Sequence, residues 1–185
     1  MSVPNFLTLL RLLFIPIFVL GFYIPWRYAH VLASSIFVLG ALTDALDGYL
    51  ARNLNQVTKF GAFLDPVVDK LIVVIALLLI VGEMGTMYVT IPALVIVGRE
   101  IIVSALREWM AEIGKRTSVA VSFVGKIKTA LQMCAVIVLL LYSPEYNVSL
   151  KITGIILLYI SSLLTLWSMV MYIKVAWPDL TFGKD

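Results

Sequence analysis

The sequence predicts an all-α, polytopic membrane protein with six transmembrane helices. Composition comes first: of 185 residues, 62% are hydrophobic and 14% charged. Ordinary soluble domains are about 45–50% apolar and about 25% charged. With a mean hydropathy of +1.04, the chain has too few polar residues to coat a water-soluble globule. A disordered chain is excluded for the same reason. The apolar residues also fall into stretches of roughly the 20 residues that one crossing needs, joined by short connections.

Six such stretches are read, at 6–24, 29–50, 61–81, 87–106, 121–142 and 152–173. The first lacks a basic leader, contains Arg11 and has no convincing small-residue cleavage site, so it reads as a retained helix rather than a signal peptide. The second ends, and the third begins, in acidic residues. The fourth contains Arg99 and Glu100, the fifth is entered through Lys126 and Lys128, and the sixth leads into a tail with Lys174 and Lys184. No internal repeat, low-complexity run or linker divides them, so 1–185 is read as a single domain. Trp26, Trp109, Trp167, Trp177 and nearby tyrosines fit interfacial anchors.

A lone cysteine, Cys134, excludes an intrachain disulfide framework and is expected to be a small core residue. A lone histidine, His30, excludes His-rich zinc or haem ligation and is placed in an outer loop without a catalytic part. A net charge of +3 is too small to imply a nucleic-acid partner. Its distribution is informative. Arg52 and Lys59 follow stretch two; Arg107, Lys115, Arg116, Lys126 and Lys128 follow stretch four; Glu83 and Glu145 mark the opposite connections. The basic connections belong on the cytoplasmic side, which puts both termini there, with Arg27 a mild dissent.

Asp44, Asp47, Asp65 and Asp69 lie at the cytoplasmic ends of stretches two and three. An ionised side chain at the centre of a membrane helix costs about 2.5–3.5 kcal/mol or more, so four together call for a partner. Residues three and four apart on a helix are separated by about 60° and about 40°, so each aspartate pair projects from one face. The short connection 52–60 is expected to bring the two helices side by side. Two divalent cations would balance four carboxylates, and hard oxygen ligands without His or Cys favour Mg²⁺ or Mn²⁺. Such a centre can clamp a diphosphate. Gly48 and Ala51 would let a ligand approach the backbone, and Arg52 can pair with phosphate. Gly61 extends the stripe of Asp65, and Pro66 predicts a bend or a helix start nearby.

Asp44-x2-Asp47-Gly48-x2-Ala51-Arg52-x8-Gly61-x3-Asp65-x3-Asp69 resembles the full signature of the CDP-alcohol phosphotransferases, with all eight positions and spacings kept. The resemblance implies that family's six-helix membrane fold over the whole chain. It implies Asp44, Asp47, Asp65 and Asp69 as ligands of two Mg²⁺ or Mn²⁺ ions, with Asp69 also the general base. Gly48, Ala51, Arg52 and Gly61 would contact the cytidine diphosphate. Asn5 and Thr8 would line the nucleotide side, although Asn5 is equally a candidate helix N-cap. A homodimer is implied by the resemblance alone.

The signature leaves the acceptor open among inositol phosphate, serine, glycerol phosphate, choline and a second lipid. Three further segments narrow it: Val3–Arg11, Gly98-Arg99-Glu100 with Ser104–Trp109, and Gly125–Thr129 with Gln132. They resemble the bacterial members of the family that use sn-glycerol 3-phosphate, implying CDP-diacylglycerol as donor and the inner membrane as location. A dianionic acceptor needs cations near the metal site, and the candidates are Arg99, Arg107, Lys126 and Lys128. Each has another reading. Lys126 and Lys128 could flank the membrane, Arg107 could snorkel or pair with Glu108, and Arg99 could form a structural pair with Glu100. A serine- or inositol-phosphate-accepting relative and a cation-coupled carrier are the alternatives for the chain; a carrier has no need of Gly48, Ala51, Arg52 and Gly61 in that register.

Overall fold

The computed structural model of the chain describes residues 3–54, 59–114, 123–143 and 148–182, with side chains described over 10–44, at 64, and over 66–114, 127–143 and 148–177. Six helices follow in order: α1 (Val3–Tyr23), α2 (Ala29–Leu54), α3 (Lys59–Met84), α4 (Met87–Glu112), α5 (Phe123–Leu140) and α6 (Val148–Phe182). Among the described residues there is no strand. Each apolar stretch forms one helix, and several helices outrun it. The extensions, such as Arg107–Glu112 on α4, are built of good helix formers that continue the backbone ladder after the apolar pattern stops. Pro66 lies inside α3 rather than at its start.

The breaks between helices have local causes. Only Gly85 and Thr86 separate α3 from α4. Gly85 takes φ +56°, a region open to glycine without steric cost, and its N–H donates to the Val81 carbonyl at 2.9 Å. The Thr86 carbonyl then accepts the Val89 and Thr90 N–H groups, each at 3.0 Å, to start α4. Past the end of α4, Gly114 at φ +77° donates its N–H to the Ala111 carbonyl at 3.2 Å, the glycine ending common to helices.

Helices α3 and α5 each pack on three others. Helix α3 packs on α1, α4 and α5, while α1 also packs on α2, α2 on α5, and α6 on α4 and α5. Among the described residues α2 and α3 each pack on α1 and α5; the ends beside the 52–60 connection, where the side-by-side pairing is expected, lie outside the described side chains. Helices α2 and α3 also meet at Gly40, where an added Cβ would stand 3.0 Å from Ile72 Cδ1. Phe18, Phe37, Leu77, Ile80, Ile96, Leu139 and Leu158 form the buried centre. The Phe18 and Phe37 rings meet at 6.1 Å and 47°. In lipid such contacts stabilise through close packing rather than through exclusion of water.

The outside is apolar too. Leu13, Ile17 and Leu20 on α1, Leu94 and Ile101 on α4, and Ile152, Ile156, Leu163 and Trp167 on α6 are all exposed. Helices α4 and α6 each contain a window of mean hydropathy 1.9 of which only 33% is buried. A continuous apolar exterior of this kind is the surface of a membrane protein. Cys134 belongs to it. The residue is exposed, against the expectation of a core position, because Ala135, Val136, Leu139 and Leu140 take the inward face of α5.

Candidate active site

The first halves of α1, α3 and α5 and the second halves of α2, α4 and α6 share one end of the bundle, and the polar side chains collect there. Arg11 on α1 is nearly buried, its side chain 3% exposed. Its Nη1 lies 2.6 Å from Oδ1 of Asp44 on α2 and 2.6 Å from Oδ1 of Asp69 on α3. The two carboxylates are 46% and 42% exposed. The guanidinium is therefore a floor and the acids are the open side, which a ligand can reach.

Convergence of Asp44 and Asp69 was expected; Arg11 as the group beneath them was not. The signal was present, since a charge inside an apolar stretch requires a partner. Asp47 and Asp65, the other two expected metal ligands, lie on α2 and α3, but their side chains fall outside the described residues. So do those of Asn5, Thr8, Ala51, Arg52 and Lys126, and the surroundings of Gly48 and Gly61. Among the described residues no three acidic, His or Cys side chains gather as a metal centre. The donor chemistry of the described pair nonetheless suits a hard cation, since both donors are carboxylate oxygens, with Arg11 now the positive group between them.

Asp69 also lines a cavity of about 290 Å³ with Lys70 and Val73 of α3, Arg99, Glu100 and Arg107 of α4, Lys128, Thr129 and Gln132 of α5, and Tyr172 of α6. Arg99, Lys128 and Gln132 are buried. Arg99 Nη1 donates to Glu100 Oε1 at 2.8 Å, and Lys128 Nζ approaches the same oxygen at 3.4 Å. Arg99 Nη2 donates to Ser168 Oγ at 3.2 Å, and that hydroxyl donates onward to the Thr165 carbonyl at 2.8 Å. Arg107 Nη2 donates to the Tyr172 hydroxyl at 2.7 Å. The Tyr172 ring has Arg99 at 5.6 Å and Arg107 at 5.1 Å from its centroid. Lys70 donates to the Ser104 hydroxyl, and Ser104 to the Glu100 carbonyl.

Three of the four expected acceptor-phosphate residues, Arg99, Arg107 and Lys128, thus share a cavity with Asp69; Lys126 lies outside the described side chains. Arg107 meets Tyr172 rather than Glu108. The Arg99–Glu100 pair exists, and it forms part of the cavity wall. Lys70 and Tyr172 were missed. Lys70 follows Asp69 directly, and Tyr172 was grouped with the interfacial anchors.

Residues 1–175 match the family model described as CDP-alcohol phosphatidyltransferase. The chain belongs to that family. It is 52% identical over 180 residues to a Yersinia pestis (strain Pestoides F) protein named CDP-diacylglycerol–glycerol-3-phosphate 3-phosphatidyltransferase, covering 97% of each chain. Proteins of the same name from Pseudomonas fluorescens and Sodalis glossinidius are each 52% identical; the match covers 97% of this chain in both cases, and 92% and 97% of theirs. In this CDP-alcohol phosphatidyltransferase the signature spans α2 and α3, and its last aspartate is the side chain shared by the Arg11 cluster and the cationic cavity.

The opposite end holds a second cavity of about 390 Å³, lined by residues that include Phe22, Tyr23, Trp26, His30 and Glu83. His30 is the second residue of α2 rather than part of a loop, with Nε2 3.4 Å from Glu83 Oε1. Its ring stands edge-on to Phe22 at 5.8 Å.

Proposed function

We propose that the chain transfers the phosphatidyl group of CDP-diacylglycerol to the C1 hydroxyl of sn-glycerol 3-phosphate, forming phosphatidylglycerophosphate and releasing CMP. The observation that carries the reading is the position of Asp69, which belongs both to the carboxylate cluster and to the cationic cavity beside it. Four cationic and two anionic side chains line that cavity. The excess matches a phosphate monoester dianion.

Asp44, Asp47, Asp65 and Asp69 would hold two Mg²⁺ or Mn²⁺ ions, which when bound neutralise the diphosphate and ease departure of CMP. Arg52, Gly48, Ala51, Gly61, Asn5 and Thr8 would receive the cytidine diphosphate. Arg99, Arg107, Lys126 and Lys128 hold the acceptor's phosphate, so its C1 hydroxyl is presented to Asp69. Asp69 takes the hydroxyl proton as the new oxygen–phosphorus bond forms at the β-phosphorus and the bond to the CMP oxygen breaks. Charge-assisted contacts keep the acceptor oriented.

In this reading all six helices cross the bacterial inner membrane, and both termini and the active site face the cytoplasm. The basic connections and the apolar exterior support that arrangement, and the working unit is a homodimer. The acyl chains stay in the bilayer while the polar reactants arrive from the cytoplasm. The test offers purified enzyme CDP-diacylglycerol, a divalent ion and labelled glycerol 3-phosphate, serine or inositol phosphate in separate reactions. Phosphatidylglycerophosphate and CMP in equal amounts from glycerol 3-phosphate are expected; product from serine or inositol phosphate alone refutes the reading.

A further inference from the structure

The acceptor reading leaves open what holds two neighbouring guanidinium groups in place before the substrate arrives. Arg99 and Arg107 lie on α4 eight residues apart, and positive charges that repel each other do not stay converged unaided. Helix α6 supplies the restraint. Ser168 and Tyr172 are four residues apart, hence on one face of α6. Ser168 accepts from Arg99, and Tyr172 accepts from Arg107 while its ring lies within cation–π range of both guanidiniums.

The phenol has capacity left over. A tyrosine hydroxyl can accept and also donate one proton. Its oxygen accepts from Arg107 Nη2, and among the described residues its own proton has no acceptor. The side chain lines the cavity and is partly exposed. We propose that Tyr172 is a specificity-determining residue. It positions Arg99 and Arg107 and donates its hydroxyl proton to the phosphate of the acceptor, so that a phosphomonoester is preferred over an unphosphorylated alcohol. This rests on the acceptor reading above and adds to it a helix that the family signature does not include.

Two substitutions separate the functions of the side chain. Tyr172→Phe keeps the ring over both arginines but loses the hydroxyl; Tyr172→Leu loses both. Each is assayed as the purified, full-length enzyme with CDP-diacylglycerol, varying glycerol 3-phosphate, and with inorganic phosphate as a competing probe. The KM for glycerol 3-phosphate should rise about tenfold in Tyr172→Phe, the size of one hydrogen bond to a charged group. It should rise further in Tyr172→Leu, with inhibition by inorganic phosphate weakened in parallel. The KM for CDP-diacylglycerol and kcat should stay within about twofold for Tyr172→Phe. An unchanged KM for glycerol 3-phosphate in Tyr172→Phe, or an equal rise in both KM values, overturns the assignment even if Tyr172→Leu fails to fold. Wild-type enzyme that uses only serine or inositol phosphate overturns the acceptor reading itself, an outcome visible before either variant is made.

Discussion

At one end of the bundle Arg11 lies beneath two open aspartates, and a cavity of about 290 Å³ gathers Lys70, Arg99, Arg107 and Lys128. At the other, a larger cavity of about 390 Å³ has His30 and Glu83 facing each other beside Phe22, Tyr23 and Trp26. Size does not separate the two, and neither does the presence of a carboxylate facing a basic group. The difference is the balance of charge. His30 and Glu83 offer one base to one acid, whereas the first cavity holds more cations than Glu100 and Asp69 can answer. Holding charge out of water is costly unless something pairs with it, so an uncompensated excess on a reachable wall points to a ligand.

The sharpest way to break this comparison is Asp69→Asn, which removes the side chain common to both halves of the active end. Turnover should fall by at least about 10³-fold, within the range lost with a general base. Size-exclusion chromatography should show the protein still folded; near-normal CMP release would refute the assignment of the base. Next comes Lys128→Met, which removes one buried cation and leaves Glu100 with Arg99. The KM for glycerol 3-phosphate should rise about tenfold or more, with the KM for CDP-diacylglycerol little changed.

Arg11→Met tests the floor of the cluster through stability. Without Arg11, Asp44 and Asp69 lose the positive group they share, which should cost about 2 kcal/mol in the absence of divalent ions. The measurement is thermal unfolding in detergent with EDTA and again with Mg²⁺. The expected pattern is a lowered Tm in EDTA and a larger upward shift on adding the ion than in the wild type, since binding to the folded state raises stability by mass action. Equal shifts in both proteins would show that Arg11 does not compete for the carboxylates. The smallest effect belongs to the far end. Glu83→Gln should leave turnover within about twofold and cost less than about 1 kcal/mol, as partly exposed pairs usually do.

Much of this was legible in the sequence because membrane helices leave few places for charge. Six apolar stretches became six helices, and Asp44 and Asp69, expected to converge, meet on Arg11. Arg99, Arg107 and Lys128 could be named as candidates because each cation near an apolar stretch needs an explanation. Tyr172 could not. A tyrosine near the end of an apolar stretch has the same local pattern whether it anchors the helix in the interface or lies between two arginines, and only the packing of α6 on α4 distinguishes them. Arg11 shows the intermediate case: its need for a partner was evident, but that the partners would come from two other helices depended on α1 packing against both. Cys134 failed for a third reason. Small size suggests burial, yet the face of α5 that turns inward is chosen by its neighbours.

Asp69 stands where the cluster and the cavity meet; in the proposed reaction the two reactants would bind on either side of this one carboxylate and need no moving domain to find each other. The same adjacency is an opening for inhibition. A molecule with a diphosphate at one end and a phosphomonoester at the other, joined by a short stiff linker, could engage both halves at once. Its second contact would form at high effective concentration, so tight binding would not depend on either half alone.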